Sequence, residues 1–296
     1  MLSILIPTYN HTCFHLADVL HTQAEALSLD YEIIVAEDGS RDQVSKVANL
    51  KVGELSHCRY IRREENVGRA RIRNFLAAEA KHQWLLFIDS DMIVRSDDFV
   101  SRYAKLIASA SADCYYGGYR VGEEALRKNP FLTHNLRYIY ETTYTGNSDA
   151  TERNKSPFDN IHTCNLLIRK SVLEECPFDE RFQHYGYEDV LLGIKLGQLG
   201  FKVAHVDNPL SFEIFETNEA FLSKSEEALR TLSAFQTDLA HHSPIISFAE
   251  RCHTVAPLLR LLFSILRNPL KRNLKGKHPS LFLFKVYKVL YYLSIR

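Results

Sequence analysis

Two acids one residue apart close an apolar run at Trp84-Leu-Leu-Phe-Ile-Asp89-Ser90-Asp91. If the extended conformation persists through that triplet, the side chains of residues 89 and 91 point the same way. Two converging carboxylates repel each other unless a cation lies between them, and oxygen-only donors favour Mg²⁺ or Mn²⁺ over softer metals. Such a pair suits the bridging of a diphosphate. The alternative is a solvated loop whose acids cap the next helix, and a triplet this short fits either.

A second passage from apolar strand to acid occurs at Ile33-Ile-Val-Ala-Glu37-Asp38-Gly39-Ser40. Asp38 has the chemistry to accept hydrogen bonds from a ribose hydroxyl or a base N–H; equally, it can shape an Asx turn and nothing more. Downstream, Arg69 and Arg73 share a helical face at i,i+4 spacing while Arg71 points elsewhere, so the first two can face a diphosphate or a base or be ordinary surface charges. In Gly186-Tyr187-Glu188-Asp189, two acids open a predicted helix. The helix dipole stabilises them and is a sufficient structural reason for their presence. The same dipole keeps a carboxylate ionised as a proton acceptor for a hydroxyl that becomes acidic only as it attacks.

The elements that must position these groups alternate along the first 120 residues. Residues 3–6, 31–36, 59–62 and 84–88 read as strands, with helices over 12–27, 41–50 and 67–81 between them, the pattern of a parallel sheet covered by helices. Ser40 and Gln43 have capping-box spacing and predict a helix start there. In such sheets ligands sit at the carboxyl ends of the strands, which is where these acids fall. Further on, 129–144 reads as an aromatic-rich helix, 145–156 as a mobile polar loop, and 163–169 as a strand. A helix over 188–199 ends at Gly200, a last strand spans 202–206, and another helix spans 218–236.

In order along the chain, these segments are similar to those of family 2 glycosyltransferases of the GT-A fold. Ser3-Ile-Leu-Ile-Pro7-Thr8-Tyr9-Asn10 resembles the family's first strand and loop, Glu37-Asp38-Gly39-Ser40 its nucleoside-binding turn, and Asn66-Val-Gly68 through Arg73-Asn74 its N-x-G…R-N helix. Asp89-Ser90-Asp91 resembles the D-x-D metal motif. Phe178-Asp179-Glu180 with Gly186-Tyr187-Glu188-Asp189 resembles the acceptor-side block. The resemblance implies an α/β, Rossmann-like, mostly parallel sheet flanked by helices, with a C-terminal helical extension. It implies a GT-A domain over 1–215, with a nucleotide half at 1–118 and an acceptor half at 119–215, followed by 216–296 as the extension.

It further implies an inverting transferase acting on a nucleoside-diphosphate sugar, a uridine one by preference, with a glycan or lipid-linked saccharide as acceptor. Pro7, Thr8, Tyr9 and Asp38 would contact the nucleotide, Arg69 and Arg73 would lie near the base, and Asp89 and Ser90 beside the nucleotide. Asp91, assisted by Asp89, would hold Mn²⁺ or Mg²⁺. Asp189 would deprotonate the acceptor hydroxyl, with Glu188 positioning it. One departure is visible: many related enzymes supply a metal-binding His where this chain has Phe212. Glu213 is a candidate substitute, and His205 reads as structural.

The 36 basic residues balance the 36 acidic ones, but residues 243–296 hold ten Lys/Arg against Glu250 alone, leaving 26 basic and 35 acidic residues in 1–242. Apolar runs at 258–266 and 281–293 accompany the basic clusters. Such a tail fits either an anionic membrane surface or helices packed on the domain or a partner. It lacks a nucleic-acid reading motif. The apolar start, residues 2–6, has no basic leader or cleavage site, and the six cysteines have no zinc or disulfide spacing; the expected setting is cytoplasmic, or peripheral at the inner face of the cytoplasmic membrane. Two other classes compete. A haloacid-dehalogenase-like phosphatase shares the D-x-D strand but normally opens with it, and a non-catalytic sugar-nucleotide-binding or glycan-binding subunit would follow if the metal were lost. P-loop and dinucleotide-binding glycine fingerprints are missing.

Overall fold

The computed structural model describes residues 1–144, 149–159 and 161–296, and of residue 241 the backbone alone. Three of its strands explain the apolar runs. β1 (Leu2–Thr8) is buried except at Pro7, and β2 (Tyr31–Asp38) is buried along its whole length. β3 (Cys58–Arg63) is half-buried, and all five side chains of β4 (Trp84–Ile88) are buried. Strands covered on both faces lose the polar–apolar alternation of one-sided sheets. Each buried Leu, Ile or Phe on them contributes about 1.5–3 kcal/mol. Between these strands lie α1 (Phe14–Ala26), α2 (Gln43–Asn49) and α3 (Arg69–Glu79).

After β4 come the short β5 (Met92–Ile93), α4 (Phe99–Ser109), β6 (Cys114–Tyr116) and β7 (Tyr119–Val121), then α5 (Glu123–Lys128), α6 (Leu136–Tyr144) and α7 (Ala150–Arg153). β8 (Asn165–Arg169), α8 (Lys170–Glu175), α9 (Glu188–Gln198), β9 (Val203–His205) and β10 (Leu210–Phe212) follow. The chain closes with α10 (Asn218–Ala234), α11 (Gln236–Leu239), α12 (Pro244–Arg251), α13 (Ala256–Lys275) and α14 (Leu281–Ile295).

The main sheet has the order β3-β2-β1-β4-β8-β6-β9. β8 alone runs against its neighbours, pairing Ile88 with Asn165 and Tyr116 with Leu166. The amino end of β8 therefore lies on the same sheet edge as the carboxyl ends of β4 and β6. A second sheet has the order β5-β10-β7, with Met92 opposite Phe212. The turn carrying Asp89 and Asp91 is thus held at one end by the main sheet and at the other by the small one.

Two compact units divide the chain. The first comprises Met1–Arg120, Ser148–Gln183 and Glu188–Glu213, the second Val121–Asn147, His184–Tyr187 and Ile214–Arg296. This division differs from the one read in the sequence, because 121–147 and 184–187 belong with the C-terminal helices. In the second unit α14 packs against α10 and α13 and buries Phe284, Tyr287 and Leu290–Leu293, so the run over 281–293 is spent on folding.

Two local readings change. α2 is capped not by Ser40 but by Asp42, whose carboxylate accepts from Val44 N at 3.2 Å and Ser45 N at 3.1 Å. A carboxylate directly before the first helical residue meets both the free N–H groups and the dipole. Of the loop read over 145–156, residues 145–148 lie outside the described residues, while 150–153 form a single helical turn capped by Asp149.

Candidate active site

All the acids singled out by sequence stand in the first unit, Asp38 at the end of β2, Asp89 and Asp91 on the turn after β4, and Glu188 and Asp189 in the first turn of α9. The turn after β2 is built around Asp38. Its buried carboxylate accepts from Val67 N at 2.9 Å and Gly68 N at 3.1 Å, and its carbonyl accepts from Asn66 Nδ2 at 3.0 Å. Burial pushes the Asp38 carboxyl above its ordinary value, and the two N–H donors oppose that rise. Gly39 has φ +65°, and a Cβ there would lie 2.4 Å from Asn66 N, so only glycine lets the two loops approach this closely.

Asn10, itself in the left-handed region at φ 51°, ties the β1 loop to the β2 loop. Its Oδ1 accepts from Arg41 N at 2.7 Å and Asp42 N at 3.1 Å, while its own N–H donates to Ser40 Oγ at 2.7 Å. Thr8 is buried and donates to the His11 carbonyl at 3.0 Å. Pro7 is half-buried and Tyr9 is exposed.

The turn after β4 is held differently. Arg73 is 1% exposed, and its guanidinium donates from Nη2 to Asp89 Oδ1 at 2.8 Å and from Nη1 to Glu188 Oε1 at 3.3 Å. Arg69 Nη1 lies 3.8 Å from the same Glu188 oxygen. One planar fork therefore joins the D-x-D turn to the first residue of α9. The resemblance implied Arg73 near a base; here its donors are turned inward onto two carboxylates. The geometry follows from Gly68, which at φ +88° sits against the Gln183 backbone and caps α3, so that residues 69 and 73 share the face toward Glu188. Asn74 completes the join by bonding both the N–H and the carbonyl of Phe178, at 3.0 and 2.9 Å.

Asp189 follows Glu188 in the first turn of α9. Its Oδ2 lies 3.0 Å from His162 Nδ1, and its Oδ1 accepts from Val190 N at 2.8 Å. Burial raises both carboxyls, and their fates then separate. Repulsion from Asp189 adds to the rise at Glu188, which lies above the ordinary carboxylate range. At Asp189 the hydrogen bond and charge of His162, with the charge of Arg73, outweigh burial and hold it below that range. The sequence reading missed His162. The signal was present: a His just before a strand matters if that strand runs antiparallel, because its amino end then joins the carboxyl ends of its neighbours.

The donor set fits a hard divalent cation. Asp89 and Asp91 would offer carboxylate oxygens from a turn fixed at both ends, and Mg²⁺-like ions are commonly held by one or two carboxylates with substrate phosphates and water completing the shell. Among the described residues no group of three His, Cys, Asp or Glu side chains is arranged to hold a metal. Phe212 is buried in β10. Glu213 is paired bidentately with Arg95 at 2.6 Å and accepts from Ser211 Oγ at 2.8 Å, so its carboxylate is committed. His205 is buried, with Nε2 2.8 Å from the Pro157 carbonyl, in keeping with a structural role. A cleft of about 870 Å³ also opens in this unit, lined by residues that include Asn74, Lys170, Phe178 and Lys195, but none of Asp89, Asp91 and Asp189 lines it.

With this geometry in view, the comparison with known proteins is decisive about family. The model of "Glycosyl transferase family 2" matches residues 3–176. The chain belongs to that family. Chondroitin synthase of Escherichia coli is 25% identical over 236 residues, covering 71% of this chain and 34% of that one; the chain spans about a third of that relative's length. Two solved structures share the GT-A fold. The mannosyltransferase PcManGT of Pyrobaculum calidifontis, in complex with GDP-Man and Mn²⁺, superposes with a TM-score of 0.56 at 13% identity, covering 99% of this chain and 84% of that one. S. aureus TarS 1-349, in complex with UDP-GlcNAc, gives 0.55 at 13% identity, covering 99% and 90%. At such identities the likeness shows the fold. The turn between β4 and β5, the α3 helix with its Arg73, and β8 all fall within the family match.

Proposed function

We propose that this family 2 glycosyltransferase is inverting and metal-dependent, taking its sugar from a nucleoside-diphosphate donor, by preference a uridine one, and passing it to a hydroxyl of a glycan or lipid-linked saccharide. The observation that carries this reading is the Arg73 bridge, which ties the carboxylate of the D-x-D turn to the helix start that bears Asp189. A donor held at the first is then fixed relative to a base at the second. Fixing reactants in this way supplies much of the rate in a displacement that needs no covalent enzyme intermediate.

In this reading Asp89 and Asp91 would hold Mn²⁺ or Mg²⁺, which would supply Lewis-acid stabilisation of the leaving diphosphate. Asp189 accepts the proton of the acceptor hydroxyl, whose oxygen bonds to the anomeric carbon as the bond to the diphosphate breaks and its electron pair leaves with the nucleotide. A carboxyl held below its ordinary value is ionised and ready across neutral pH. Glu188, fixed by Arg73 and Arg69, positions its neighbour and the acceptor, while Pro7, Thr8, Tyr9, Asp38 and Ser90 shape the nucleotide's seat. The first unit carries donor and base, and the tail attaches the enzyme peripherally to the inner face of a membrane. PcManGT and TarS, crystallised with GDP-Man and UDP-GlcNAc, support a sugar-nucleotide donor, and chondroitin synthase a polysaccharide acceptor.

Calorimetry of UDP and GDP binding with and without Mn²⁺, followed by transfer assays of Asp189→Asn, tests the reading. The variant is expected to keep donor binding and lose roughly 10²–10⁴-fold in transfer, the usual range for a general base. Near-normal turnover removes Asp189 from that role. Nucleotide binding with no transfer by the wild type to any saccharide leaves a binding subunit.

A further inference from the structure

α13 carries two apolar faces where a helix on a protein surface needs one. Ala256, Phe263, Leu270 and Leu274 are buried in the second unit. Leu258, Leu261, Leu262 and Ile265 recur at i, i+3, i+4 and i+7 on the other side, and they are 66%, 61%, 42% and 67% exposed. α12 and its turn add Phe248 and Val255, also exposed. Contiguous exposed leucines of this kind mark an interaction surface.

Charge selects the occupant. From residue 248 to 296 the chain has ten Lys/Arg and one acid, the exposed Glu250. Lys271 and Lys275 are committed to Glu226 at 2.7 Å and Glu219 at 2.5 Å, whereas Arg251, Arg272 and Lys277 are exposed at the two ends of the leucine stripe. An apolar stripe flanked by cations, with Glu250 the one acid in its segment, complements the interfacial zone of an anionic bilayer, with leucines among the acyl chains and guanidinium groups at the phosphates. No helix among the described residues is long and apolar enough to cross a membrane, so the contact lies along the surface.

We propose that the Leu258–Ile265 face of α13, and not the buried α14, is the surface by which this chain docks on an anionic membrane. The proposal deepens the peripheral attachment stated above and rests on that part of it alone, since lipid binding is read without donor or acceptor.

Flotation of the full chain on phosphatidylglycerol–phosphatidylcholine vesicles, against phosphatidylcholine alone, tests it. The wild type is expected to float with the anionic vesicles and to be released by added salt. Leu261→Asp with Ile265→Asp is expected to weaken the partition by about tenfold or more. Both positions lie away from the buried face, so the melting temperature is expected to hold and serves as the folding control. Should that variant fail to fold, Arg251→Glu with Arg272→Glu replaces it, with loss of anionic preference expected. Equal flotation of wild type and variant overturns the proposal, as does a wild type that ignores lipid charge or does not float. Self-association without lipid that the double variant abolishes also overturns it and gives the face to a second copy of the chain.

Discussion

The turns after β2 and β4 look alike in sequence, each a buried apolar strand running into acids, yet they are held in opposite ways. Asp38 is bonded by backbone: both carboxylate oxygens accept N–H groups from the loop before α3, and Gly39 packs against that same loop. Asp89 is bonded by one side chain, through one oxygen, on a turn whose side chains are half-buried. Each Asp38 oxygen has given one lone pair to a main-chain donor and is buried, whereas Asp89 keeps a whole oxygen for a ligand on a half-buried turn. Position at a strand's carboxyl end marks both as candidates; burial and hydrogen bonding favour Asp38 as an anchor of the loop and leave Asp89 the more open of the two.

That contrast breaks if the two turns respond alike to substitution. Asp91→Ala is expected to have the largest effect, roughly a thousandfold loss of transfer, since metal stabilisation of the leaving group is worth several kcal/mol, with a smaller change in melting temperature than Asp38→Ala gives. Calorimetry should show Mn²⁺-dependent nucleotide binding abolished. Arg73→Met should come next, costing about 3–5 kcal/mol in denaturant unfolding because it strands the buried Glu188 carboxylate and frees Asp89 together. Asp38→Ala is expected to cost about 1–3 kcal/mol, the price of leaving two half-buried N–H groups without their acceptor. Its transfer rate at a temperature where it is folded should fall far less than that of Asp91→Ala. A stable Asp38→Ala protein that has lost nucleotide binding reverses the comparison and makes Asp38 the ligand.

Much of this was legible before any coordinates. Strands β1, β2 and β4 announce themselves because burial on both faces demands unbroken apolar runs, and their terminal acids are conspicuous for the same reason. The inward turn of Arg73 was not legible, since i,i+4 spacing fixes which residues share a face but not what that face meets. The role of Asn10 is hidden in sequence, because its service to residues 40–42 requires a left-handed backbone that sequence does not display. The capping-box spacing points to Ser40, whereas Asp42 stands nearer α2 and carries the stronger acceptor. In the tail, the apolar runs at 258–266 and 281–293 read alike, but packing buries one and leaves half of the other exposed. His162 escapes a reading based on strand carboxyl ends, because the reversal of β8 brings an amino end to the same edge.

His162 sharpens the comparison at its most delicate point, since Asp189, half-buried where Asp38 is buried, is likewise an acid met by hydrogen-bond donors, but with a side chain among them. Burial alone raises the Asp189 carboxyl, and the bond and charge of His162, with Arg73, bring it below its ordinary value. His162→Phe keeps an aromatic ring against Tyr116 and Tyr119 while removing the donor. The Asp189 carboxyl then rises, a larger fraction of it is protonated at any acidic pH, and the base is lost sooner as pH falls. The acid limb of the pH profile of kcat/KM is therefore expected to move to higher pH, with the plateau at alkaline pH little changed. Stability should move in the same sense. A depressed folded value contributes stability that is complete above the unfolded value and lost as pH falls through the folded one, and in the variant that contribution disappears. A collapse of the plateau itself, with the limb unmoved, would mean that His162 takes the acceptor's proton and Asp189 only orients its ring.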